Sequence, residues 1–143
     1  MAKKQIEVDI NIYNWEKGNL YNSSPLITGK IDMVPITFLI DTGASISFIN
    51  KSFIEGHPRL NFTKEIGEKK YLLNMLGEGA NSNEIIFTKN LTFGKQKFEQ
   101  EFCLIDLHKP NDGKASIYQG IIGFDFLMQN QVKLNFHDFS FAI

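Results

Sequence analysis

The stretch that decides the fold is Pro35-Ile36-Thr37-Phe38-Leu39-Ile40, followed at once by Asp41-Thr42-Gly43-Ala44-Ser45. The first six residues are nearly all apolar, β-branched or aromatic, which predicts a strand covered on both faces. A carboxylate at the end of such a strand sits at the edge of a core. It is costly there unless it is paired, hydrogen-bonded or protonated. Gly43 lets the backbone approach closely and take unusual dihedrals, and Thr42 and Ser45 bring short hydroxyls that can fix a loop. The combination is a device for holding a carboxylate rigidly. Asp-Thr-Gly by itself is usually a plain turn, because Asp and Gly dominate turns. Its place behind a buried strand sets this one apart.

Outward from this stretch, period-two alternation dominates. Ile6, Val8, Ile10 and Ile12 alternate with polar residues and predict one strand. Residues 15–24 are polar and turn-rich. Pro25 to Ile31 reads as a strand and Asp32-Met33 as a turn into the second strand, Pro35 to Ile40. Asn50 to Glu55 can form a helical turn, stopped by Gly56 and Pro58. Lys70 to Leu76 and Glu84 to Thr88 predict two strands around a Gly77-Glu78-Gly79 tip. Leu91 to Phe93 and Phe98 to Ile105 predict a hairpin around Gly94-Lys95. Apolar residues at 124, 127 and 128 have helical spacing, and Val132 to Ile143 alternates again. The expectation is an all-β chain with one clear short helix near its end. Residues 1–24 would be an N-terminal strand and connection, and 25–143 the main domain.

An internal repeat accompanies this pattern. With Leu26 to Asp41 laid on Leu91 to Asp106, the pairs Leu26/Leu91, Gly29/Gly94, Lys30/Lys95, Leu39/Leu104, Ile40/Ile105 and Asp41/Asp106 are identical. Each copy reads as strand, Gly-Lys turn, strand and Ile-Asp, which suggests two related halves.

Composition narrows the function. The chain has 143 residues, 43% hydrophobic and 22% charged, enough for a single domain with a real core. A net charge of −1 gives no electrostatic case for nucleic acid or an acidic membrane surface. No apolar run approaches a membrane span, and residues 1–4 lack the apolar region of a signal peptide. A lone cysteine, Cys103, excludes an intrachain disulfide and reads as a small core residue. His57, His108 and His137 show no metal-ligand spacing, so neither a metal nor another cofactor is expected.

The string Phe38 to Ser45 resembles the active-site signature of retropepsins, the aspartic proteases of retroviruses and LTR retrotransposons. Ile121-Ile122-Gly123 followed by the predicted helix Phe124 to Asn130 is similar to the family's second signature, and the hairpin tipped by glycines lies where a flap is expected. The resemblance spans about Pro25 to Phe136. It implies a closed, β-barrel-like acid-protease fold with a flap hairpin and one short C-terminal helix.

It also implies a mechanism. Two carboxylates held close share one proton, since both cannot ionise together. The ionised one acts as general base on a water, and the protonated one polarises the scissile carbonyl and then serves as acid. Only one Asp-Thr-Gly is present, and Asp106 is followed by Leu107-His108, so the second carboxylate must come from an identical chain across a twofold axis. By resemblance, Asp41 is catalytic, Thr42 would hydrogen-bond across the dimer, and the Gly43 amide would orient the carboxylate. Ala44 and Ser45 would bind substrate backbone. Met75, Leu76, Gly77, Glu78 and Gly79 would belong to the flap that closes over the peptide. Ile46, Phe48 and Ile121 are candidates for side-chain pockets, and Gly123 would pack where a side chain would collide with the active-site loop.

Many retroviral members carry a basic residue after the second glycine, paired with an acid just past the first signature; here those places hold Phe124 and Ser45. Both partners of that pair are absent together, which suggests a retrotransposon-type or cellular branch. The partners implied are a second copy and a peptide or polyprotein substrate, and the location is the cytoplasm or a retroelement particle. The rivals are an inactive peptide-binding or dimerisation module of the same fold, against which intact Asp41, Thr42 and Gly43 argue, and a cellular retropepsin of the ubiquitin-shuttle type.

Overall fold

The computed structural model describes residues 7–9, 11–14, 23–58, 60, 63–73, 78–107, 117–135, 137 and 140–143. Its first hairpin joins β3 (Ser23–Ile31) to β4 (Val34–Ile40). Ile31 faces Val34, so the turn is the two residues Asp32 and Met33, both in the left-handed region with φ of 48° and 73°. A two-residue hairpin loop needs that hand at both positions to match strand twist. Gly29-Lys30, expected to make the turn of this copy of the repeat, instead lies within β3 opposite Ile36 and Pro35. Gly29 is required for another reason: a Cβ there would meet the Phe93 ring at 2.6 Å and the Thr92 carbonyl at 2.7 Å.

The second hairpin joins β7 (Glu78–Phe93) to β8 (Gln96–Ile105) through Gly94-Lys95, with Gly94 at φ 60°. Here the Gly-Lys turn falls where the sequence predicts. The two copies are therefore offset at their turns and coincide at their ends. β4 runs parallel to β9 (Gly120–Ile122) through Phe38, Leu39 and Ile40. β8 runs parallel to β5 (Phe48–Asn50) through Cys103, Leu104 and Ile105. Those two triplets are the ones the repeat superposes. β5 and β9 pair antiparallel between them, and each leads into a helix, α1 (Lys51–Glu55) and α2 (Phe124–Gln129).

β3 also pairs with β7 through Lys30–Thr92 and Ile31–Leu91. This closes the ring β3-β4-β9-β5-β8-β7, a six-stranded barrel, with β2 (Asn11–Asn14) and β6 (Thr63–Leu73) extending it. The expected all-β closed barrel is thus the fold, with α1 and α2 as short helices. Alternation along the strands sorts the apolar residues into two clusters. One holds Phe38, Phe93, Phe102, Phe126 and Phe141 with the aliphatic residues around them; Phe38 stacks on Phe102 at 5.6 Å, and Phe93 meets Phe126 edge-on at 5.7 Å. The other takes the intervening positions, among them Leu39, Phe48, Cys103 and Ile121. Burial of each large side chain contributes about 1.5–3 kcal/mol.

The single N-terminal strand expected from Ile6 to Ile12 is two. β1 (Glu7–Asp9) pairs with β11 (Ser140–Ala142), whereas β2 joins the barrel beside β3. β10 (Lys133–Asn135) takes the other edge of β11. β6 and β7 form a long hairpin in which Glu78 and Gly79 already belong to the return strand, opposite Leu73 and Leu72. The expected strand to Leu76 is described as far as Leu73, and the rest of it, with Met75, Leu76 and Gly77, lies outside the described residues.

Candidate active site

Asp41 begins the loop after β4, and its backbone fixes it twice: its N–H donates to the Ile122 carbonyl at 3.0 Å, and its own carbonyl accepts from Ala44 N–H at 3.1 Å. The Gly43 N–H donates to the Asp41 carboxylate at 2.9 Å. The carboxylate is half-buried, Thr42 and Ser45 are exposed, and Ala44 is wholly buried. A rigid, partly solvated carboxylate with one oxygen held by an amide is poised to act on a water or a carbonyl.

The second signature locks against this loop. Phe124 N–H donates to the Ala44 carbonyl at 2.7 Å. A Cβ on Gly123 would run into the Ile46 carbonyl and come within 2.9 Å of the Ala44 carbonyl. Both obstacles are backbone, so only glycine fits. The structure therefore brings Asp41, Gly43, Ala44 and Gly123 together. Ile121 is 5% exposed and packs in the second cluster with Ala44 and Phe48, with Ile46 against it.

One group of site residues had no signal in the sequence. Ser47, fully buried, accepts from Gly123 N–H at 2.9 Å and donates to Asp125 Oδ1 at 2.7 Å. The other Asp125 oxygen accepts from Gln100 Nε2 at 2.8 Å, and Phe126 N–H donates to Oδ1 at 2.8 Å. Gln100 is 3% exposed and also donates to the Glu101 carbonyl. This network ties β8, the exit of the Asp41 loop and the start of α2 into one unit. An acid in the first turn of a helix is a legible hint, since it suits the free amides there. Its partners Ser47 and Gln100 are far away in sequence and carry no local mark.

Elsewhere, the His57 imidazole bonds the Phe53 carbonyl at 2.8 Å and lies on the Phe53 ring, and Cys103 is buried beside Phe48. Among the described residues no group of three or more His, Cys, Asp and Glu could hold a metal, and no helix is long and apolar enough to cross a membrane.

Comparison with known proteins agrees with this geometry. A family model described as aspartyl protease matches residues 27–126. Among solved structures, the chain is similar to an EIAV protease complexed with the inhibitor HBY-793, at 21% identity and TM-score 0.55, covering 86% of this chain and 97% of that one. It is similar to a retropepsin-like aspartic protease from Rickettsia conorii, at 16% identity and TM-score 0.54, over 97% of this chain and 89% of that one. It is also similar to the retroviral protease-like domain of Ddi1 from Leishmania major, at 18% identity and TM-score 0.52, with 80% of each chain covered.

Proposed function

The chain belongs to the aspartyl protease family, and from that premise we propose that it is an aspartic endopeptidase active as a homodimer, in which two copies of Asp41 share one water. The observation that carries this is the Asp41 carboxylate, half-buried at a strand end with Gly43 N–H donating to it at 2.9 Å. One such carboxylate cannot be base and acid in the same step. A twofold copy supplies the second, and the proton the pair shares assigns the roles.

Thr42 would hydrogen-bond to its symmetry mate, a role that its exposure on the loop supports. Ser45, exposed, lines the floor for the substrate backbone; Ala44, wholly buried with its N–H and carbonyl both bonded within the protomer, supports that floor from beneath instead of contacting substrate. The β6–β7 hairpin is the flap, with Glu78 and Gly79 in its return strand. The substrate is a peptide segment, such as a junction in a retroelement polyprotein, and the reaction takes place in the cytoplasm or within a particle. A second reading is a cellular retropepsin with other protein substrates. It draws support from the likeness to the Ddi1 domain and from Phe124 in place of a basic residue.

The test is cleavage of a mixed peptide library across acidic to neutral pH by wild type and Asp41→Asn, with and without pepstatin, beside sedimentation for mass. Pepstatin-sensitive cleavage, lost in Asp41→Asn and carried by a species of twice the chain mass, is the expected result. A stable dimer without cleavage at any pH transfers the assignment to the inactive peptide-binding module.

A further inference from the structure

We propose that the second copy docks as an already complete protomer, held by an apolar contact from Phe124 and Met128 beside the Asp41 loop, without exchange of terminal strands. The inference rests on the dimeric reading above and names the surface through which that dimer forms.

α2 starts on the Asp41 loop. Phe124 N–H is bonded to the Ala44 carbonyl, and Gly123 is wedged against the Ala44 and Ile46 carbonyls. Any face that presents Asp41 to a twofold mate therefore carries Phe124 at its rim. Phe124 is 49% exposed and Met128 61%. Four residues apart, they share one face of the helix. Phe126 and Leu127 already fill the core side, so this pair is what the helix has left over. Two large exposed apolar side chains next to a half-site mark a contact surface, and aromatic anchors carry much of the energy of such contacts. Twofold symmetry makes each residue count twice.

Among the described residues of the two signatures, charge offers no competing anchor at this place. Phe124 and Ser45 are neutral, and Asp125, the acid of α2, is turned inward to Ser47 and Gln100. The terminal strand is likewise committed within its own chain. β11 has β1 on one edge, through Glu7–Ala142, Val8–Phe141 and Asp9–Ser140, and β10 on the other, through Lys133–Ala142, Leu134–Phe141 and Asn135–Ser140. An apolar terminal strand with a free edge would invite pairing with a partner; here both edges are filled in cis, and Phe141 is wholly buried. With β11 committed in cis, side-chain burial between finished surfaces is the contact that the exposed Phe124 and Met128 offer.

Sedimentation over a dilution series tests this with wild type, Phe124→Asp and Met128→Lys. Thermal melts of each protein confirm that the protomer stays folded. Each substitution should weaken the dimer about tenfold or more, with an unchanged protomer melt. The wild-type Kd should hold or tighten as NaCl rises, because an apolar contact is not screened. Glu7→Cys with Ala142→Cys, in a Cys103→Ser background, should oxidise to a species of single-chain mass on a denaturing gel, even from dimer. An active wild-type dimer whose Kd neither substitution moves, or which salt dissociates, overturns the apolar anchor and leaves the protease reading intact. A covalent dimer from the cysteine pair overturns the unexchanged strand. A wild type that is monomeric and inactive at every concentration removes the dimeric reading itself.

Discussion

β4 and β8 both end on Leu-Ile and hand on to an Asp, at Leu39-Ile40 before Asp41 and Leu104-Ile105 before Asp106, and each runs parallel to a short strand from the other half of the barrel. Ile122 and Asn50 occupy matching places in those short strands, opposite Ile40 and Ile105. Beyond that point the halves diverge. After β4, Asp41 N–H bonds directly to the Ile122 carbonyl, and Gly123, having no Cβ, lets the loop press in. After β8, it is the Asn50 side chain that reaches across, its Oδ1 accepting from Leu107 N–H at 3.1 Å, and the next residue is Lys51. Asp106 ends up exposed, whereas Asp41 is half-buried and held by an amide. One scaffold thus makes a half-buried, amide-held carboxylate where backbone closes on backbone, and an exposed one where a side chain bridges the gap.

The largest expected contrast is between the two aspartates. Asp41→Asn should lower kcat/KM by about 10²–10⁴-fold, the usual weight of a general acid–base group. Asp106→Asn should leave peptide cleavage within about twofold, since an exposed group away from the chemistry contributes little. Equal losses would refute the division of labour between the halves. A shared proton also requires a bell-shaped pH dependence of kcat/KM for wild type, read as a property of the pair.

Next comes the residue after each short strand. Gly123→Ala drives a Cβ into the Ile46 carbonyl. Relief has to come from the Asp41 loop, so about 1–3 kcal/mol of stability should go, together with about 10²-fold in kcat from a displaced carboxylate. Lys51→Ala, at the matching place, loses an exposed side chain and its 3.7 Å ion pair with Glu84, which surface pairs value at about 0–1 kcal/mol. Thermal melts and steady-state kinetics of the two variants give the contrast directly.

Asp125 separates support from chemistry. Asp125→Ala leaves the buried Ser47 and Gln100 with their shared acceptor gone. Stranding those donors should cost about 1–3 kcal/mol in denaturant unfolding. Asp125→Asn should recover much of it, since Gln100 can turn its Oε1, now without a partner, toward the new amide.

Much of this was legible in the chain. The strand before Asp41, the Gly94-Lys95 turn, the helix after Gly123 and the closed barrel follow from local pattern and from a signature with wide structural context. The features that were not legible are non-local. Nothing in Ile6 to Ile12 says that Glu7–Asp9 and Asn11–Asn14 part company to pair in different sheets. The local pattern puts the first turn at Asp32-Met33, as found; it is the repeat that misleads, since its Gly29-Lys30 lies within β3 and Gly29 answers to the Phe93 ring instead. The apolar run at 139–143 reads as an interface strand, because an apolar edge invites a partner, until β1 and β10 of the same chain are seen on both sides of β11. Ser47, Gln100 and Asp125 look like unrelated polar residues until the fold brings them into contact.

The smallest expected effect probes the quiet half. Asn50 is 4% exposed; its Oδ1 takes Leu107 N–H, and its Nδ2 donates to Ser52 Oγ at 2.9 Å. Asn50→Ala removes the bridge and the Ser52 bond but leaves the β5 backbone pairing untouched, so the loss should be about 1–2 kcal/mol, two modest hydrogen bonds. Because Asn50 serves the loop after β8 and not the Asp41 loop, its melting temperature should fall while kcat per folded dimer stays put. If kcat falls with it, the two loops are coupled through β5 and β9, which are paired at Phe48–Ile121 and Ile49–Gly120. The inert half would then be part of what holds Asp41 in place.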